Sequence, residues 1–408
     1  MRIGIFTESY PPIINGVSTS VQTLIARLEG AGHTVFVFTS RYPHYTDDRE
    51  GVFRFASFNS VVEPDYVLPI PFSPRIARII PTLNLDIVHS QSPFFLGMMA
   101  RRVSRELNIP HLATNHTLYT EYAHYLPLPT IGTTRWLLIR WMRRFYDTCD
   151  HVLAPSELTR RVLIESYRVQ SPVSVVPTGI PAPPYVLTRP AEVRSELGLP
   201  PDARILLYVG RLAQEKNLDL LLRSFVEISA RTNDTYLVLA GSGKSRPGLE
   251  HRARALGIHR RTRFTGFLGR TKLDPLYQAA DVFLFPSKTE TQGLAVGEAL
   301  AAGLPAVVVN AGGAPESVRD TIDGFLVADD SEAMAAAALR LLADPALHRR
   351  MADEAKRGAS AQTPEKVGAR VIALYEALIA ERKTQPDKLG APLSLDLGDE
   401  GEGVRLNP

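Results

Sequence analysis

One cysteine, Cys149, stands in a chain of 408 residues. It excludes an internal disulfide and cannot build a metal site by itself, which points to a reducing compartment and a small buried apolar role. No apolar run approaches the ~18 residues that a membrane-spanning helix needs. The chain opens Met-Arg and passes straight into a strand, Ile3 to Phe6, with no leader-like apolar stretch. The expected location is cytoplasmic, at most lying on the inner face of the cell membrane. Nor is there a large charge of one sign, since 46 basic residues against 43 acidic leave a net +3. The balance is even along the chain. Residues 1–180 carry 17 arginines, no lysine and 14 acidic residues, and the remainder carries 29 of each sign. A nucleic-acid partner is therefore not expected.

What is present is an alternation of short apolar strands and helical patterns, over a length that suits two domains of ordinary size. The pattern predicts strands at Ile3–Phe6, Thr34–Thr39, Ile87–His89, His111–Asn115, His151–Ala154 and Val173–Val176. It resumes at Ile205–Val209, Tyr236–Ala240, Val282–Phe285 and Ala306–Val309, with helices over 217–231, 249–256, 332–342 and 364–382. Such alternation implies parallel sheets covered on both faces. The expected organisation is a first lobe over 1–178, a proline-rich linker over 179–190, and a second lobe over 191–362. A helix over 363–383 is expected to return across the first lobe, and 384–408 reads as a disordered acidic tail.

The stretch from Asp281 to Gly303, DVFLFPSKTETQGLAVGEALAAG, carries the chemistry. A buried strand breaks at Pro286-Ser287, and an Ala-rich helix runs from about Gly293 to Ala302. Glu290 lies in the loop and Glu298 in the helix, with seven residues between them. A helix start offers unpaired N–H groups that suit a phosphate, and the flanking carboxylates suit hydroxyls. A nucleotide sugar has both. The alternative is a plain strand–loop–helix crossover with two solvated glutamates.

Three further segments lie where a doubly wound sheet holds ligands, at the C-terminal ends of strands. After the first strand comes YPPIINGVST, where Asn15-Gly16 forces a loop and Ser18 or Thr19 is the expected helix cap; no G-x-G-x-x-G is present. GRLAQEKNLDLLL places Arg211 and Lys216 after the first strand of lobe two, as fixed cations for a leaving diphosphate or as a solvated pair. TNHTLYTEYAHYLP places His116 just past a strand, where a near-neutral donor to a sugar hydroxyl is useful. LVLAGSGKS resembles a phosphate loop, but Val238 stands where a Walker glycine is needed.

The string from Pro286-Ser287 through Glu290 to Glu298-Ala-Leu-Ala-Ala-Gly resembles the E-x7-E signature of retaining glycosyltransferases with two Rossmann-like lobes, family 4 in particular. Thr291-Gln292 departs from the Gly-Phe of many members. The resemblance runs from about Met1 to Ala380 and implies an α/β fold of two Rossmann-like lobes (GT-B type) facing an interlobe cleft. It implies Arg211 and Lys216 on the donor diphosphate, His116 and Glu290 at the reaction centre, and Gly16, Gln292, Gly293, Leu294 and Glu298 among the donor contacts. TGFL, 265–268, resembles the segment that meets the nucleotide base. The expected reaction is retaining, metal-independent and without cofactor, with UDP-glucose as the donor.

From His116-Thr117 to His124-Tyr125 the chain is similar to bacterial diacylglycerol glucosyltransferases, which implies a membrane lipid acceptor. In TTRWLLIRWMRRFYD, a helical wheel puts Leu137, Leu138, Trp141, Met142 and Phe145 on one arc and Arg140, Arg143 and Arg144, with Trp136, on the other. That basic aromatic arc is either a solvated helix face or a contact for an anionic bilayer. PFSPRIARIIP, 71–81, is a shorter candidate of the same kind. The alternatives are a transferase for a soluble sugar, polysaccharide or phosphatidylinositol, a nucleotide-sugar epimerase on the same fold, or a non-catalytic carbohydrate binder.

Overall fold

The computed structural model describes residues 1–59, 67–121, 131–181 and 190–384. The expected acidic tail, most of the proline-rich linker, and the segment holding His124 and Tyr125 lie outside the described residues. Lobe one contains β1 (Arg2–Phe6), α1 (Gly16–Gly30), β2 (Thr34–Ser40), β3 (Val52–Phe55), β4 (Ser57–Asn59), β5 (Val67–Pro69) and α2 (Pro74–Ile79). It continues with β6 (Ile87–Ser90), α3 (Phe95–Leu107), β7 (His111–Thr114), α4 (Ile131–Tyr146), β8 (His151–Ala154), α5 (Glu157–Arg161) and β9 (Val173–Val175). Lobe two runs α6 (Pro190–Glu196), β10 (Arg204–Val209), α7 (Leu218–Arg231), β11 (Thr235–Ala240), α8 (Arg246–Ala255), β12 (Thr262–Gly266), α9 (Arg270–Ala279), β13 (Val282–Phe285) and α10 (Leu294–Ala301). β14 (Ala306–Val309), β15 (Gly324–Val327), α11 (Ser331–Ala343), α12 (Pro345–Ala359) and α13 (Pro364–Thr384) complete it.

Two parallel sheets result, as the alternation of strands and helices predicts. The first has the order β3-β2-β1-β6-β7-β8-β9, and the second β12-β11-β10-β13-β14-β15. Each reverses direction once, between β1 and β6 and between β10 and β13. Those two switch points are where an open α/β sheet forms a crevice beyond its strand ends. The ten strands expected from sequence all form, and β3, β12 and β15 extend the edges. VFRF and TRFTG interrupt their apolar runs with arginine, and GFLV is too short to stand out; pairing with an existing strand makes them strands.

Strands β10, β11, β13 and β14 form the buried centre of lobe two, nearly without exposure, under the apolar faces of α7 and α11. In lobe one, β1, β2 and β6 pack against Val21, Ile25 and Leu28 of α1. α13 lies on the same cluster through Val371, Tyr375 and Leu378. Burying each such side chain stabilises by about 1.5–3 kcal/mol, so packing, rather than chain connection, holds this last helix on lobe one. No helix among the described residues is long and apolar enough to cross a membrane.

Candidate active site

β10 and β13 are neighbours, so the loops that follow them lie side by side at the switch point of lobe two. The loop after β10 carries Arg211 and Lys216, and the loop after β13 carries Glu290. Lys216 Nζ donates to Glu290 Oε1 at 2.6 Å, with side chains only 12% and 18% exposed. Asn217 Nδ2 braces the pair, donating to Pro286 O at 3.2 Å and to Asp329 at 2.7 Å. Arg211 is paired with Glu215 four residues on and keeps its side chain 45% exposed. The buried Tyr208 hydroxyl donates to Arg211 O at 3.2 Å and holds that loop from beneath.

α10 starts one residue later than the sequence pattern suggests, at Leu294. Gly293 precedes it at φ 76°, and a Cβ there would meet Ala314 Cβ at 2.7 Å, so only glycine fits this turn. Leu294 reaches toward Gly16 of lobe one, where a Cβ would lie 3.5 Å from Leu294 Cδ1. Glu298 has both oxygens occupied, one by Arg270 at 2.7 Å and one by the Tyr277 hydroxyl at 2.9 Å. Burial raises its pKa, with those two donors opposing.

The phosphate-loop resemblance of LVLAGSGKS has a structural explanation. A Cβ at Gly243 would lie 2.2 Å from Leu212 O, and Ser245 N donates to that same carbonyl at 3.0 Å. Its glycine therefore lets this loop pack on the one bearing Arg211.

Across the cleft, β1, β6 and β7 of lobe one are adjacent, and their C-terminal ends present Glu8, Gln91 and His116. His116 Nε2 hydrogen-bonds the Gln91 side-chain amide at 2.7 Å. The ring is half-buried at its surface, yet enclosed deeply enough that desolvation pushes its pKa down to about 4. His116 is thus neutral near pH 7, a dipole rather than a cation. Glu8 Oε1 accepts from Leu96 N at 3.0 Å at the start of α3, and burial pushes its carboxyl up. Gln91 and Glu8 were not singled out from sequence. Both follow strand ends, the same signal that marks His116.

Two expectations change, and one further side chain takes a partner the sequence did not indicate. Asn15, rather than Ser18 or Thr19, caps α1, its Oδ1 accepting from Ser18 N at 2.8 Å, because Asn15 is the residue with extended backbone at the helix start. Gln292, grouped above with donor contacts, turns its amide to lobe one and pairs both ways with the backbone of Thr178, at 2.8 and 3.1 Å. Leu137, assigned to the buried arc of α4, is 44% exposed, because Thr134 occupies the inward position of that turn. Trp136 beside it is 55% exposed, with the Arg140 guanidinium 5.6 Å from its ring. Arg143 is exposed and Arg144 half-buried. In the 71–81 candidate, Phe72 is 70% exposed and Arg75 and Arg78 are exposed, while Ile76 is buried.

Comparison with known proteins gives this site a context. Residues 14–182 match the family described as Glycosyltransferase Family 4, and residues 191–358 match Glycosyl transferases group 1. The alpha-monoglucosyldiacylglycerol synthase of Streptococcus pneumoniae is 31% identical over 407 aligned residues, covering 95% of this chain and 88% of that protein. A GDP-mannose-dependent alpha-mannosyltransferase of Corynebacterium glutamicum is 28% identical, over 93% of this chain and 90% of its own. Among solved structures, a sucrose-phosphate synthase from Thermosynechococcus elongatus superimposes with a TM-score of 0.74 at 23% identity, covering 93% of this chain and 99% of its own. Two parallel lobes of GT-B type, matched over both halves and along nearly the full length of a relative, place this chain in glycosyltransferase family 4.

Proposed function

We propose that the chain is a retaining hexosyltransferase that moves glucose from UDP-glucose to a membrane lipid such as diacylglycerol. The observation that carries the reaction is the Lys216–Glu290 pair at the switch point of lobe two, with Arg211 beside it and neutral His116 across the cleft. Arg211 and Lys216 stabilise the charge that grows on the diphosphate as its bond to the sugar C1 breaks. The acceptor oxygen attacks C1 from the same face, and its proton passes to the departing phosphate oxygen. His116 donates to or accepts from a sugar hydroxyl through its neutral ring, and Glu290 and Glu298 read hydroxyls of the donor. No metal is assigned a step.

The lipid acceptor is supported by the exposed Trp136 and Leu137 on α4, with half-buried Arg140 beside Trp136, together with exposed Phe72 on the same lobe. An aromatic side chain among arginines suits the headgroup region of an anionic bilayer, where each cation contributes about 1 kcal/mol. The pneumococcal relative's name points the same way. A mannose donor, or a soluble sugar or phosphatidylinositol acceptor, is the second reading, favoured by the similarity to the mannosyltransferase. Purified protein incubated with UDP-glucose, GDP-mannose and other donors, with and without diacylglycerol vesicles, tests both. Release of UDP from UDP-glucose only when vesicles are present supports the reading; nucleotide release with soluble acceptors alone overturns its lipid half.

A further inference from the structure

The two residues that follow Glu290 both reach out of lobe two. Thr291 Oγ1 donates to the carbonyl of His116 at 3.0 Å, and Thr159 Oγ1 of α5 donates to the carbonyl of Thr291 at 3.4 Å. Gln292, 6% exposed, accepts from Thr178 N at 2.8 Å and donates to Thr178 O at 3.1 Å, satisfying the whole main-chain polarity of one residue. Thr178 sits where the chain leaves lobe one. Its neighbour Ile180 donates from N to Gln362 O at 3.0 Å, so the outgoing segment and the segment returning to α13 run side by side there. One residue next to Glu290 is therefore tied to the peptide of His116, and the next is tied to the hinge.

We propose that Thr291 and Gln292 are positioning residues that hold the loop carrying Glu290 in register with His116, so that lobe closure sets the distance between the two. The inference rests on the reading above, in which Glu290 and His116 face the same donor sugar. A further tie between the lobes, Glu316 accepting from Glu157 N and Leu158 N at 2.7 Å each, involves neither Glu290 nor His116. Thr291 differs because it is one peptide bond from Glu290, and its partner is the carbonyl of His116 itself. Groups tethered this closely keep their mutual placement when the lobes rock, which is what two groups acting on one donor sugar require. Mere adhesion of the lobes would change melting temperature without separating turnover from nucleotide binding.

The test uses the full chain with its donor and acceptor, reading kcat, the donor KM and the affinity for free UDP by calorimetry. Thr291→Val keeps the shape and removes the hydroxyl donor. Loss of one hydrogen bond of this kind corresponds to about a tenfold fall in kcat, with UDP affinity within about twofold of the parent by the same reasoning. Thr291→Ser should restore kcat. Gln292→Met should lower kcat likewise; if it does not fold, the Thr291 pair decides alone. Parent-like kcat in Thr291→Val, or a loss of UDP affinity in proportion to kcat, overturns the positioning role. A parent that transfers no sugar from any donor refutes the function itself, and the positioning role falls with it.

Discussion

Lys216 Nζ lies 2.6 Å from Glu290 Oε1, across 74 positions of chain, because the two adjacent strands β10 and β13 end side by side. The pair joins a cation in the loop after β10 to the first carboxylate of the E-x7-E string. In the proposed reaction, an incoming diphosphate meets a lysine already fixed in direction, so little ordering remains for that step.

Lys216→Ala should lower turnover far more than it weakens binding of free uridine. Removing one group that stabilises developing charge typically costs about 3 kcal/mol, roughly a hundredfold in kcat. Steady-state kinetics beside calorimetry with the nucleoside checks this. Unchanged turnover refutes the assignment of Lys216.

In the proposed reaction, Arg211 and Lys216 stabilise the diphosphate charge in place of a divalent ion. Activity should therefore survive EDTA with little change. A loss that added Mn²⁺ reverses would move the diphosphate contact from these side chains to a metal.

Docking by the arginines of α4 is expected to be electrostatic. Exposed charges are screened within about 10 Å at 0.1 M salt, so sedimentation with anionic vesicles should weaken as salt rises. Replacing Arg140, Arg143 and Arg144 together with Glu should abolish it while UDP-sugar affinity stays at the parent value, because the proposed donor seat lies in lobe two. Continued sedimentation of the triple variant would assign the contact to another surface, or the acceptor to solution.

Burial holds His111 at about 3 and His116 at about 4, and pushes His89 down as well. A histidine with a depressed folded pKa binds its proton more readily when unfolded, so its stabilisation is complete above ~6.5 and is lost as pH falls toward the folded value. The raised carboxyls of Glu8, Asp281 and Glu298 act in the opposite sense just above their usual range. Melting temperature should fall between about pH 6.5 and 4, and less steeply in His111→Asn than in the parent. Equal slopes would mean that His111 does not contribute.

Neutral His116 also separates activity from the ordinary histidine titration. Were its ring required as a cation, turnover would rise on acidification through about 6.5. The expected kcat profile has no such rise between pH 5.5 and 8, since a ring with a pKa of about 4 stays neutral there. A bell centred near 6.5 that disappears in His116→Gln would show a charged role.

Local patterning determined much of this protein. Apolar runs bounded by Gly and Pro place ten strands, and the spacing of Glu290 and Glu298 places a loop and a helix turn after one of them. Such features depend on neighbours in sequence, which is why His116, Arg211 and Lys216 could be singled out as strand-end residues. The edge strands β3, β12 and β15 could not, since their ordering comes from partners far along the chain. The same limit governs the faces of α4: periodicity assigns Leu137 an inward arc, but the surface it meets leaves it exposed. Glu290 and Gln292 stand two positions apart in one loop, yet one pairs with a lysine of its own lobe and the other with the hinge backbone. Sequence spacing fixes which side chains leave a loop together. Which of them faces a substrate and which fastens two lobes depends on the unpaired backbone groups that the opposite lobe presents, and only the assembled fold brings those within hydrogen-bonding distance.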